Sequence, residues 1–293
     1  MSAGTHIAGP ERDSATPRGA SGLNWGLRLA SAFLLAALAL AAMIGGGAWF
    51  AAFIAAVTVA GLREWYRMVA DGRYAFYVVI GALGLLAALA ASFAVPALPP
   101  GAPYLILGAA ALVDLAVSAA GGGRPLWQAA GPLYLGIPGV ALLGVRAESD
   151  HGLWLVLLLF AAIWAADTGA LISGKLIGGP KLAPVLSPNK TWAGFVGGTA
   201  LAALAAALVV AVLGGSPARG AAVGTALALA GHAGDLFESW VKRRVGRKDS
   251  GHLIPGHGGV LDRIDSILFA VPVCAAFVYL FGAHSILGLG AQP

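Results

Sequence analysis

Residues 152–172 read G-L-W-L-V-L-L-L-F-A-A-I-W-A-A-D-T-G-A-L-I, an apolar run interrupted by a single acid, Asp167. A helix of about 20 such residues crosses the ~30 Å hydrocarbon core of a bilayer. Comparable runs lie near 26–45, 47–62, 74–95, 103–120, 127–145, 193–214, 220–236 and 267–290. The pattern predicts an all-α polytopic membrane protein with about nine transmembrane helices. Composition agrees, because 59% of residues are hydrophobic and 11% charged, against about 25% charged in soluble domains. Several spans are rich in Ala and Gly, which permits close helix packing in lipid.

Charge placement orients the spans. Sixteen of the 18 Lys and Arg residues fall on one side of a nine-span arrangement, and only Arg146 and Arg219 fall on the other. Since cytoplasmic loops carry the excess of Lys and Arg, the expectation is a cytoplasmic N-terminus and an outside C-terminus. Residues 1–23 are polar and lack an apolar period, as expected of a flexible cytoplasmic tail. The first span follows that tail and exceeds a signal-peptide core in length, so it reads as an uncleaved helix. The remainder divides into N-terminal transmembrane helices over 24–150 and a catalytic transmembrane region over 151–293. Cys274 stands alone, which excludes a disulfide scaffold or a cysteine zinc site.

Chemistry concentrates in the polar island of residues 234–266, which holds six of the 18 basic residues and two of the six histidines. If the eighth span continues as a helix, Asp235, Ser239, Lys242 and Arg243 share one face. An ionised carboxylate at that depth, such as Asp235, costs up to ~2.5–3.5 kcal/mol unless it is paired; a bound cation removes the penalty, and so does a structural ion pair with a loop Lys or Arg. Gly256, Gly258 and Gly259 around His257 leave room for a close backbone approach to a ligand. Asp262 and Asp265 follow at i, i+3 where the ninth helix begins, a position that favours negative charge. Asp235 and Asp262 thus form a candidate divalent-metal pair. Few hard oxygen ligands suit Mg2+, which retains waters and shares its other positions with substrate phosphates. Lys242, Arg243 and Lys248 are candidate phosphate ligands, and His257 is a candidate substrate contact.

The loop near residues 173–192 adds to this. Asp167 lies inside the sixth span, where an acid marks a functional position by default. Ser187, Lys190 and Thr191 look like an anion-binding turn ahead of the seventh helix. No G-x-x-x-x-G-K-[ST] string is present, so a P-loop nucleotidase is not indicated. Asp114, in the fourth span, has no motif around it and reads as a structural polar contact.

The two loops together closely resemble the phosphatidate cytidylyltransferase family, also called CDP-diacylglycerol synthases. The signature S-x-x-K-R-x-x-x-x-K-D-x-x-x-x-x-P-G-H-G-G-x-x-D-R-x-D is satisfied from Ser239 to Asp265. The upstream A-D-T-G, K-L-A-P and S-P-x-K-T-W elements match in order. Ala193 departs from the pattern, since family members often carry Glu or Gln there. The resemblance implies cytidylyl transfer from CTP to phosphatidic acid with Mg2+, a second cation sharing the site, a multi-pass location in the inner (plasma) membrane with the site facing the cytoplasm, and dimerisation. It implies catalytic roles for Asp235, Asp262, Asp265 and Lys242. Substrate contacts would come from Ser187, Lys190, Thr191, Ser239, Arg243, Lys248, His257 and Asp167. No nucleic-acid partner is expected. Two rivals are weaker. A CDP-alcohol phosphotransferase would need D-G-x-x-A-R followed by G-x-x-x-D-x-x-x-D, which is absent, and an ion-coupled transporter would not need the basic, Gly-rich loop.

Overall fold

The computed structural model describes residues 19–70, 74–95, 97–148, 151–254 and 258–287. Most of the tail expected over 1–23, the signature residue His257 and the end of the last expected span lie outside them. Nine helices occur among the described residues: α1 (Gly19–Gly45), α2 (Gly47–Val69), α3 (Tyr74–Ala94), α4 (Ala102–Ala120), α5 (Pro125–Ala147), α6 (Gly152–Leu176), α7 (Trp192–Val212), α8 (Pro217–Arg244) and α9 (Leu261–Ile286). Seven of them are long and apolar enough to cross a membrane. The described part of α1 contributes a shorter apolar stretch, Ala30–Gly45. Unlike the other helices past α1, α8 is not among the seven, because its last turns carry Asp235, Glu238, Lys242, Arg243 and Arg244. Each of the nine expected runs coincides with a helix, and the protein is nearly all helical.

The departure from an all-α architecture is a small antiparallel hairpin between α6 and α7. Its strands are β1 (Lys181–Ala183) and β2 (Ser187–Thr191), with Lys181 opposite Thr191 and Ala183 opposite Ser187. The expected anion-binding turn at Ser187, Lys190 and Thr191 is therefore a strand. Pro184 and Pro188 cannot donate to a helix and hold extended backbone, so the chain pairs with itself instead. Thr191 closes β2 and caps α7: its extended backbone lets Oγ1 accept from the Gly194 amide at 3.0 Å. Removing an N-cap costs about 0.5–2 kcal/mol. Thr191→Ala is accordingly expected to lower Tm by about 2–4 °C, read by a thermal melt in detergent; an unchanged Tm would mean that the cap contributes nothing.

Helix α5 is the central post. It packs against α2, α3, α4, α6 and α9, despite carrying Pro132 and Pro138 in its interior. The second half of the chain then packs in series, α6 on α7, α7 on α8 and α8 on α9. Small residues permit this close stacking in lipid. A Cβ at Gly198 would come within 2.6 Å of the Ala166 carbonyl oxygen, and one at Gly224 within 2.6 Å of that of Ala202. At Gly234 an added Cβ would collide with the Asp265 carbonyl and meet Phe269 at 3.1 Å. That glycine lets the polar end of α8 lie directly on the start of α9. Helix α1 sits at the edge, where Arg146 of α5 donates from Nε to the Met43 carbonyl at 2.9 Å.

Candidate active site

The last turns of α8, the first turn of α9, the loop between them and the hairpin converge at one end of the bundle. α8 runs unbroken through Asp235 to Arg244, so the expected shared face of Asp235, Ser239, Lys242 and Arg243 is formed. Lys242 bridges the helices: its Nζ donates to Glu238 Oε2 and to Asp262 Oδ1, both at 2.8 Å. Burial works against a charge on Lys242, but the carboxylates of Glu238 and Asp262 outweigh it and hold the ammonium up to about 12. Asp262 also accepts from the Gly259 amide at 2.8 Å and the Ser250 amide at 3.2 Å. Its carboxylate thereby fixes both ends of the described loop.

The second ion pair joins the hairpin to α8. Lys190 on β2 pairs with Asp235, and both side chains are partly exposed. Arg243 reinforces this tie by donating to the Leu186 carbonyl in the hairpin at 3.3 Å and to the Arg247 carbonyl at 3.1 Å. Lys190 and Arg243 thus strap the hairpin over the end of α8. Ser187 lies on the same strand, and Ser239 is half-buried one turn beyond Asp235. Lys248, Asp249 and His252 are exposed on the loop. Asp167 projects from α6 within electrostatic reach of Asp235, Lys190 and Arg263. The Thr191 hydroxyl is committed to its cap.

Three residues that sequence reasoning passed over complete the arrangement. Glu238 is fully buried, and its Oε1 has no hydrogen-bond partner. The Glu238 and Asp265 carboxyls interact directly, and Asp235 acts on Asp265 as well. His232 sits one turn before Asp235, with its ring 4.9 Å from that of Phe195 and within reach of Lys190 and Asp235. Spacing was the available signal: His232, Asp235, Glu238 and Lys242 recur at three- and four-residue steps on one helix face.

The third and most distant is Glu64, near the end of α2 and also fully buried. Its Oε2 accepts from the Leu261 amide at 2.9 Å and from the Ser250 hydroxyl at 3.2 Å. This contact explains one glycine of the signature, Gly259, and a second at a position the signature leaves open, Gly251. A Cβ at Gly251 or at Gly259 would strike the Glu64 carboxylate, so these positions admit an acidic side chain of the protein itself. Gly258 meets a different need, because its φ of +84° lies in the left-handed region.

Among the described residues, no three His, Cys, Asp or Glu side chains form a ready metal-binding group. Mg2+ needs no such cage, since it is commonly bound through one or two carboxylates together with substrate phosphates and waters. The charge balance fits it. Among the described residues, the carboxyls of Asp167, Asp235, Glu238, Asp262 and Asp265 interact with the cations Lys190, Lys242 and Arg263. Carboxyls set against one another, as in Glu238 and Asp265, are costly in a partly desolvated site unless a cation or a shared proton compensates.

Comparison with known proteins gives the same reading. Residues 26–281 match the Cytidylyltransferase family. The chain is 40% identical over 268 residues to the phosphatidate cytidylyltransferase of Brucella suis biovar 1 (strain 1330), covering 87% of this chain and 92% of that protein. It is 42% identical over 151 residues to the phosphatidate cytidylyltransferase of Rickettsia felis, covering 49% and 66%. For that of Haemophilus influenzae the identity is 41% over 154 residues, covering 50% and 54%.

Proposed function

The chain belongs to the Cytidylyltransferase family, and on that premise we propose that it works at the junction of α8, α9 and the hairpin. The enzyme transfers the cytidylyl group of CTP to phosphatidic acid, giving CDP-diacylglycerol and pyrophosphate for phospholipid biosynthesis. A phosphate oxygen of phosphatidate bonds to the α-phosphorus of CTP as the bond to the pyrophosphate oxygen breaks. Bringing two anions together requires cations placed where charge develops. The observation that carries the assignment is the pair of lysines, Lys190 and Lys242, set on Asp235 and Asp262 at adjoining helix ends.

Lys242 is held charged and aimed by two carboxylates, so it serves as a fixed positive end for the transferring phosphates. Lys190 rides on the hairpin and, among the described residues, is ion-paired with one carboxylate, Asp235, so it is the cation suited to exchange a carboxylate for a phosphate. Arg243 and Lys248 receive the outer phosphates from the exposed side, with Ser187 and Ser239 as neutral donors. Asp235 and Asp262, with Asp265 beside them, would hold Mg2+. Bound there, the metal would polarise the α-phosphate and offset the charge of the departing pyrophosphate. No general base is required, because a phosphate monoester is largely ionised near neutral pH, its second pKa being about 6.

The topology forms part of the proposal: nine spans in the inner membrane, an N-terminus and active site on the cytoplasmic side, and an outside C-terminus. Its support is the one-sided distribution of Lys and Arg. That arrangement delivers CTP from the cytoplasm and phosphatidate from the leaflet to one face. We keep dimerisation as an expectation to be checked by size in detergent. The catalytic part is assigned to residues 151–293, with the helices of 24–150 as its support through Glu64.

The test is pyrophosphate release by detergent-purified protein given phosphatidic acid, Mg2+ and either CTP or ATP. Turnover is expected with CTP only, to fall to background in EDTA, and to return when Mg2+ is restored. Full activity in EDTA would remove the metal from this reading, and equal rates with ATP would remove the base specificity.

A further inference from the structure

On the face of α8 turned away from Asp262, a cleft of about 390 Å3 opens between the start of α5 and the end of α8. Arg124, Trp127, Trp240, Arg244 and Val245 line it. The indoles of Trp127 and Trp240 stack with centroids 5.7 Å apart and planes at 28°. The Arg244 guanidinium lies over Trp240, 5.6 Å from the ring centroid. Trp127 is anchored in turn, since its carbonyl accepts from Trp65 Nε1 at 2.8 Å. Trp240 and Arg244 are four residues apart and share one helix face, whereas Glu238 and Lys242 point to α9.

We propose that this cleft binds the phosphate headgroup of an anionic membrane phospholipid, at a site separate from the catalytic centre. The Arg244 guanidinium at the rim supplies forked donors suited to a phosphodiester, and Arg124 adds a second positive charge to the lining. The stacked indoles supply an amphipathic wall of the kind that settles where hydrocarbon meets headgroups. The lining comes from the first turn of α5 and the last turn of α8, and the expected apolar run of α5 begins at Trp127 itself. Basic pockets between membrane helices are recognised headgroup sites. A peptide or soluble nucleotide would not need the cleft to open at the margin of the apolar helices.

The cleft is also wired to the catalytic face by packed rings. Trp240 meets Phe237 at 5.8 Å, and Phe237 meets Tyr134 at 5.4 Å. Tyr134 in turn lies within electrostatic reach of Glu238, Asp265 and Asp235. A headgroup held by Arg244 would steady the last turn of α8, which carries Lys242 and Arg243. Anionic lipid would therefore raise turnover without being consumed.

The experiment is native mass spectrometry of detergent-purified protein titrated with phosphatidylglycerol, phosphatidylcholine or inorganic phosphate, paired with CTP turnover at a fixed, saturating amount of phosphatidic acid substrate in phosphatidylcholine vesicles with and without phosphatidylglycerol. The wild type should retain phosphatidylglycerol in preference to phosphatidylcholine. Arg244→Gln should weaken that retention about fivefold, the effect of one arginine at an anionic surface, and abolish the stimulation by phosphatidylglycerol while leaving turnover without phosphatidylglycerol unchanged. Trp240→Phe, which keeps a ring in place, guards against misfolding and should retain the lipid. Lys190→Met should spare retention, which separates this site from the catalytic one even if the assigned reaction fails. Equal retention of both lipids, undiminished retention in Arg244→Gln, loss in Lys190→Met, or displacement of the lipid by equimolar inorganic phosphate would each overturn the proposal.

Discussion

Asp262→Asn should lower kcat for cytidylyl transfer by about 10²- to 10³-fold, the range seen when a single preorganised electrostatic contact is removed. The carboxylate accepts from Lys242 Nζ and from the Gly259 and Ser250 amides. An asparagine of the same size must turn its amide NH2 toward one of these donors, so a repulsion replaces a hydrogen bond and the negative charge is lost. Lys242 would keep Glu238 alone, and the proposed Mg2+ would lose one of two ligands. The measurement is the initial rate of pyrophosphate release at saturating CTP, with a thermal melt of the same preparation. A variant that melts near the wild-type temperature yet loses turnover places Asp262 in the chemistry. A rate within about threefold of wild type would sink both its metal role and its orienting role.

The second large effect is expected far from the signature. Glu64→Ala should destabilise the loop by about 3 kcal/mol or more, because hydrogen bonds to charged groups contribute ~1.5–3 kcal/mol each and a buried donor left unmade costs ~1–3 kcal/mol. The Leu261 amide and the Ser250 hydroxyl would lose their acceptor, and a void would open where Gly251 and Gly259 now crowd the carboxylate. Ser250 and Leu261 lie on either side of the loop that places Asp262, so turnover should fall by at least about 10²-fold. Glu64→Gln, which keeps one oxygen acceptor, should lie between Ala and wild type. Hydrogen exchange over residues 248–262 reads the loop directly: unchanged protection in Glu64→Ala would show that Glu64 does not hold it.

The helices were legible because membrane spans are the one element that length and hydropathy specify almost without tertiary information. Asp235, Asp262 and Lys242 were nameable for a related reason, since charge is rare in this chain and its clustering is visible. Their partners were not. Whether Asp235 pairs with a loop lysine, and which, depends on a hairpin folding back over α8. Pro188 and the β-branched Thr191 hint at extended structure, but nothing local specifies that Ser187 pairs with Ala183. Glu64 was hidden differently. It sits just past the apolar run of its span, next to Arg63, where an acid reads as an ordinary interfacial charge. What covers it comes from far along the chain: Ser250, Gly251, Gly259 and Leu261 close over its carboxylate. Gly256, Gly258 and Gly259 were read as leaving space for a ligand, and one of them, Gly259, makes space for Glu64.

That reach from α2 to the α9 junction has a consequence for biogenesis. A ribosome delivers α2 to the membrane early and Leu261 almost last, so during most of synthesis Glu64 is an acid without the two donors that later satisfy it. Such a group is tolerated only near water or in its neutral form. The nascent N-terminal helices therefore cannot reach their final seating until the end of the chain arrives. The same late contact sets the loop that places Asp262, so that loop cannot be held in place before α9 is made. A product truncated before α9 would be idle and would also expose an unquenched acid to membrane quality control.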